Sequence, residues 1–230
     1  MVYSEKKRYG LIFMNRKQKS NNIRTIFRPQ VKRIGIIADT HIPDRNKGIH
    51  PKIMESFSQA DLILHAGDIT IPNVIEKLST IAETIAVRGN NRSDRTRFDP
   101  PLPGKTIIQV AGEYRIGLCH GMENIYQRVS DAIIGRMGFE SHCTKRLIER
   151  VQHFFTGVNA VVYGHGHWPM LALEERTLFI NPGKAFGKKC SSCALMEIQK
   201  NRIRVKIIPI SPFKNSLPFK PDWNAFPINP

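Results

Sequence analysis

Seven residues of this chain have the types and spacing expected of ligands to a pair of metal ions: Asp39, His41, Asp68, Asn90, His120, His165 and His167. They fall in five phrases: IIADTH (36–41), LHAGD (64–68), VRGNN (87–91), GLCHG (117–121) and YGHGH (163–167). In each phrase an apolar, β-branched run gives way to Gly or polar residues. Carboxylate and amide oxygens mixed with imidazoles suit Mn, Fe, Zn or Co. One residue separates Asp39 from His41, so a tight turn can send both into one crevice. Gly67 and Gly89 precede Asp68 and Asn90 and let the backbone approach closely there. Gly164 and Gly166 flank His165, so His165 and His167 can project to different metals. Singly, each residue has an ordinary explanation: Asp39 as a turn residue, His120 as a core histidine. One shared site accounts for all seven together.

Such a site needs elements that bring five strand ends to one place. IGIIA (34–38), DLILHA (61–66) and ETIAV (83–87) read as strands. Between them, helices are predicted from Pro51 to Phe57, with proline suited to the first helical position, and over 72–81. Val74, Ile75, Leu78 and Ile81 share one face of the second helix. This βαβαβ order predicts parallel strands joined by right-handed crossovers. Ligands in such sheets gather at the carboxyl ends of strands, where each candidate falls. TIIQV (106–110) and YRIGL (114–118) flank a hairpin turn at AGE (111–113). Residues 123–155 read as helical with a break near Gly135–Gly138, and NAVVYG (159–164) as a buried strand. The remainder, MLALEE, TLFIN, CALMEI and RIRVKIIPI, is β-rich and predicts a second sheet stacked on the first.

Composition sets bounds around this core. The chain has 230 residues, 41% of them hydrophobic, enough for one domain with tails. No apolar run approaches the ~18 residues needed to span a bilayer. The net charge is +16, with ten Lys/Arg and only Glu5 in residues 1–33. That stretch reads as a disordered basic extension. An organelle transit peptide, or an arm touching nucleic acid or anionic lipid, is the alternative reading. Residues 34–210 form the expected domain, and the proline-rich stretch 211–230 an extended tail. A cytoplasmic location is expected. Cys190 and Cys193 have CxxC spacing but lack the second pair of a zinc ribbon.

The ordered set D-x-H, G-D, G-N, x-H-G, G-H-x-H resembles the calcineurin-like metallophosphoesterase superfamily. NPGK (181–184) and the short spacings resemble its small YfcE-type phosphodiesterases. The resemblance spans about residues 34–205. It implies an α/β fold, a four-layer αββα sandwich of two mixed β-sheets. By the same resemblance Asp39, His41, Asp68 and His167 would hold one metal, and Asn90, His120 and His165 the second. Asp68 would bridge, and Asp68, Asn90 and His120 would be central to catalysis. Two divalent ions are implied, Mn first, with Fe, Zn, Ni, Co or Mg as alternatives. The implied reaction is hydrolysis of a phosphodiester, or less readily a phosphomonoester, by a bridging hydroxide in line with the leaving oxygen.

The chain departs from the family in four places. Many members carry His after the G-N asparagine as a general acid, and the small phosphodiesterases carry Cys then Asp. Here Asn91 is followed by Arg92, Ser93 and Asp94. A neutral amide donates no proton usefully near pH 7, which leaves Asp94, a water or the substrate for that role. The stretch between His120 and His165 is long, with a helical insertion near 122–150 that would cap the crevice or meet a partner. GHGH stands for GHTH. Lys184 stands where Ser is usual. Arg88 and Arg92 are candidate phosphate binders, or solvated loop arginines. Two other functions stay open: a metal-binding interaction scaffold of the same fold, as in the retromer subunit, and a basic nuclease with weak non-specific nucleic-acid affinity. The sequence leaves the oligomeric state open, a homodimer included.

Overall fold

The computed structural model describes residues 23–121, 140–213, 219 and 222–228. Its described strands form two six-stranded sheets. β1 (Thr25–Arg28), β5 (Lys105–Val110), β6 (Tyr114–Cys119), β7 (Ala160–Val162), β8 (Pro169–Glu174) and β9 (Thr177–Pro182) form one, in the order β1-β5-β6-β7-β9-β8. β2 (Arg33–Ile37), β3 (Leu62–His65), β4 (Thr84–Ala86), β10 (Ser192–Gln199), β11 (Arg202–Pro209) and β12 (Asn224–Pro227) form the other, in the order β12-β11-β10-β2-β3-β4. Each sheet mixes parallel and antiparallel pairs. β2, β3 and β4 run parallel, as do β6, β7 and β9.

Alternation along the strands separates the layers. Ile34, Ile36, Leu62 and Leu64 face the space between the sheets, where they join Ile116, Leu118, Val162 and Ile180 from the other sheet. Ile37 and Ile63 face outward under helices α1 (Pro51–Ser56) and α2 (Asn73–Ser79), packing with Ile53, Phe57 and Leu78. On the opposite flank α4 (Glu140–Gln152) lays Leu147, Ile148 and Val151 over Val161 and Phe179. A short helix, α3 (Ser93–Thr96), follows β4. The architecture is the four-layer αββα sandwich. The first half of the expected insertion lies outside the described residues.

Two boundaries differ from expectation. Thr25–Arg28 is not part of a disordered extension: it pairs in parallel with β5, and Arg28 forms an ion pair with Glu83. A four-residue edge strand, TIFR, is too short for its two apolar residues to show a period, and its partner lies about 80 residues away, so local pattern could not show it. The proline-rich tail also returns as β12 along β11 and buries Ile228, whose carbonyl oxygen lies 3.0 Å from the Tyr114 hydroxyl.

Each sheet has a glycine on its helix-facing side that receives a phenylalanine ring. A Cβ on Gly35 would lie 2.9 Å from Phe57, and one on Gly117 2.7 Å from Phe155. Gly35→Ala and Gly117→Ala are each expected to lower unfolding free energy by about 1–3 kcal/mol, the usual cost of overpacking. Urea denaturation reads this, and unchanged midpoints would show that the rings shift freely.

Candidate metal centre

The turns after β2 and β3 are laced together by backbone bonds. The N–H of Asp39 donates to Gly67 O at 3.0 Å, and that of His41 to Asp68 O at 3.1 Å. These bonds hold a strained path. Asp39, His41, Asp68, His165 and His167 all have positive φ, between 45° and 65°. Non-glycine residues in that region cost of order 1–3 kcal/mol each, and persist where surroundings over-determine them. Gly89 meets a space limit instead: a Cβ there would overlap Asp68 Oδ1. Asn90 can follow Asp68 this closely only behind a glycine.

Six of the seven predicted residues converge through their side chains. Asp39, His41 and His167 offer ligand atoms within 4.8 Å of one another, and so do Asp39, Asp68 and His120. His41 Nε2 is 3.4 Å from Asp68 Oδ2, His167 Nε2 is 3.4 Å from Asp39 Oδ1, and His120 Nε2 is 3.6 Å from Asp68 Oδ1. The Asn90 amide reaches His120 Nε2 at 2.8 Å. His165 joins the cluster through its backbone, whose N–H donates to Asp39 Oδ2 at 3.1 Å, and its ring centroid lies 5.4 Å from that of His120. Asp39 thus reaches both groups, where the family resemblance assigns sharing to Asp68.

A second ring of contacts orients these groups. His120 Nδ1–H donates to Ala66 O at 2.7 Å, leaving the Nε2 lone pair directed inward. Asp68 Oδ1 accepts backbone N–H groups from Asn90 (2.9 Å) and Asn91 (3.1 Å). Asn91 Nδ2 lies 3.1 Å from His41 Nδ1 and donates to it. Asn91, expected beside the leaving group, instead holds the His41 imidazole.

The electrostatics fit a cation. Burial would push the Asp39 carboxyl up, but His167, His120 and His41 outweigh it and hold it well below the usual carboxylate range. Burial pushes His41 down and so neutral, despite Asp68 and Asp39. Burial also opposes charge on His120, yet Asp68, Asp39 and the Ala66 carbonyl raise it. Asp39 Oδ1 and His41 Nε2 are buried without hydrogen-bond partners. An unpartnered carboxylate oxygen at this depth is a deficit that a divalent cation removes. Asn90 shows the same conflict. With its nitrogen inward it donates to both Asp68 oxygens and to His120, while ligation needs its oxygen inward.

Other expected residues lie elsewhere. Arg88 Nη1 donates to Leu102 O at 3.4 Å, which directs it to the 102–104 loop, and Arg92 is exposed before α3. Asp94 is not placed to supply a proton to a leaving group: it is buried and accepts the N–H groups of Ile69, Thr70 and Gly89 at 2.8–3.2 Å. Burial raises its carboxyl while those bonds oppose the rise. It staples the Asp68 turn to the Asn90 turn. Cys193 is buried under α1 and Cys190 lies in a loop, both outside the centre. Sequence reasoning missed Phe186, whose ring centroid is 5.0 Å from that of His41 and 5.4 Å from that of His167. Arg45 and Lys184 carry their charges over this ring, at 5.6 and 4.9 Å from its centroid. The NPGK departure was the one signal pointing there.

His65 lies on β3, fully buried, with Nε2 3.2 Å from Thr40 Oγ1. Burial pushes its pKa from 6.5 down to about 3. The folded value lies below the unfolded one, so the stability it contributes is present above pH 6.5 and is lost as pH falls toward 3. Between pH 6.5 and 5, chelator-treated protein is expected to lose about 1.4 kcal/mol per pH unit from this group. Urea unfolding across that window should show a shallower slope for His65→Gln, and an identical slope would remove the assignment.

The comparisons with known proteins agree with this geometry. Residues 33–201 match the calcineurin-like phosphoesterase superfamily domain. The chain is 30% identical over 190 residues to a "Probable metallophosphoesterase" of Methanothermobacter thermautotrophicus, covering 81% of this chain and 98% of that one. It is 29% identical over 178 residues to a "Probable metallophosphoesterase" of Methanocaldococcus jannaschii, covering 77% and 81%. The structure of vacuolar protein sorting 29 from Cryptosporidium parvum superposes with a TM-score of 0.58 at 20% identity, over 86% of this chain and 96% of that one. Fold, donor set and sequence match converge on one conclusion: the chain belongs to the calcineurin-like phosphoesterase superfamily.

Proposed function

We propose that this protein is a metal-dependent phosphoesterase acting on phosphodiesters in preference to phosphomonoesters. Asp39, His41, Asp68 and His167 would hold one divalent cation, and Asn90, His120 and His165, with Asp68 shared, a second. The observation that carries the reading is the convergence of ligand atoms from Asp39, His41 and His167, and from Asp39, Asp68 and His120, each set within 4.8 Å, around Asp39 Oδ1, a buried oxygen without a hydrogen-bond partner. Mn is the proposed ion, because hard carboxylate and amide oxygens share the site with imidazoles. When bound, such ions activate a water and neutralise the phosphoryl oxygens.

The chain's own residues supply orientation. Ala66 O fixes the His120 tautomer, the Asn90 and Asn91 N–H groups fix the Asp68 rotamer, and Asn91 braces His41. No described acid stands at the leaving group, since Asn91 is a neutral amide and Asp94 is turned inward. Turnover is then fastest for leaving oxygens of low pKa, with a water or the substrate left as the proton source for others.

With Mn²⁺ the protein is expected to hydrolyse bis-p-nitrophenyl phosphate. The rate should fall steeply across phenyl esters of rising leaving-group pKa. Asp68→Ala should reduce it by at least about 100-fold, since even the outer partners of a metal ligand are worth about 10–100-fold. Absence of turnover with every divalent metal would overturn the enzymatic reading. Asn91, in place of the family's acid, favours a second reading, a metal-binding interaction scaffold. Stoichiometric metal without turnover, with a stable partner in pull-downs, would establish that instead.

A further inference from the structure

Two cations stand at the rim of the metal centre and no step above uses them. Arg45 follows His41 by four residues, and its N–H donates to His41 O at 2.8 Å, so the turn that presents the ligand also presents the guanidinium. Lys184 lies after β9, beside Ala185, whose N–H donates to Ala38 O at 3.0 Å, next to Asp39. Both side chains lie over Phe186, which in turn contacts the His41 and His167 rings. Among the described residues neither cation is paired with a carboxylate. Each is thus anchored at its backbone to a ligand-bearing segment, with a free charged end.

The residues next to them in the chain, Asn46 and Ala185, help to line a cleft of about 350 Å³, together with Lys47, His50, Gly187 and Ser191; Arg45 and Lys184 themselves do not line it. Residues 41–52 and 183–191 together hold six Lys/Arg and one acid, Asp44. The volume is at the small end for an organic ligand, where pockets run from about 300 to 1,000 Å³. It is far too small to enclose a duplex.

Charge matching narrows the ligand. A scissile phosphodiester carries one negative charge, and the proposed metal ions neutralise it. Two additional cations match a further dianionic group. A phosphate monoester carries about −1.5 to −2 at pH 7 and three acceptor oxygens. Arginine grips such oxygens bidentately, and lysine adds a point charge.

We propose that Arg45 and Lys184, carried on Phe186, form a second phosphate-binding subsite beside this cleft. The preferred substrate is then a small phosphodiester bearing another phosphate on one arm, such as a nucleotide ester phosphorylated at its far end. This rests on the phosphoesterase reading above, and names the substrate class for that site.

The test compares thymidine 5′-(p-nitrophenyl phosphate) with and without a 3′-phosphate, using Mn²⁺-loaded protein. The phosphorylated ester is expected to show about tenfold higher kcat/KM, an advantage that shrinks as salt rises. Calorimetry provides a readout independent of turnover: thymidine 3′,5′-bisphosphate should bind about tenfold tighter than thymidine 5′-monophosphate. Both preferences should vanish in the Arg45→Gln/Lys184→Ser double variant. They should survive in Lys200→Ser/Arg202→Gln, which removes equal charge at the other end of the sheet. Equal binding of the two nucleotides by the unaltered protein would overturn the subsite, as would a preference that persists in the double variant. An oligonucleotide that binds far more tightly than the bisphosphate would overturn the small-substrate assignment. If neither ester turns over but the binding preference holds, the phosphoesterase reading fails and the subsite stands.

Discussion

The structure depends on gathering two carboxylates, Asp39 and Asp68, at one buried point. Taking an isolated carboxylate out of water is costly, and compensation must come from neighbours. Three imidazoles, an amide and several backbone N–H groups surround the pair, yet Asp39 Oδ1 still finds no donor. That residual deficit is the opposite of what a stability-driven core would select. It is what a cation site requires.

The rest of the fold answers to this point. Both sheets end there: β2, β3 and β4 bring Asp39, His41, Asp68 and Asn90 from one, while β6 and β7 bring His120, His165 and His167 from the other. The backbone takes up the strain in left-handed turns at five ligands. Asp94 then ties two of those turns from below, His65 supports Thr40, and Ala185 binds the loop after β9 to the end of β2. The large apolar cluster between the sheets is what allows these local costs to be carried.

Much of this was legible in the residues. Apolar runs of parallel-strand character, each followed by glycine and a ligand type, pointed to the strand ends, because a strand buried on both faces reads as a continuous β-branched run. The helices at Pro51 and Asn73 followed from apolar spacing and proline placement. What local pattern could not show was long-range pairing. β1 is only four residues long, and its partner β5 makes it a strand. Asn91 and Asp94 illustrate the same limit in the site. Their types suggested a missing acid at Asn91 and a spare one at Asp94. Their geometry makes one a brace for His41 and the other a staple between turns, because direction is set by the turn of α3 and not by spacing.

The sequence by itself determined the donor set, the family and the layered α/β architecture. Those follow from residue type and from periodicity along the chain. Tertiary structure alone decided which candidate donors converge, which polar groups hold them and which cations lie beside them. Arg45 and Lys184 lie 139 positions apart in the chain. Only the bond from Ala185 to Ala38, and the ring of Phe186 between them, place both charges beside one centre. Such proximity arises from packing two sheets face to face, and no local signal encodes it.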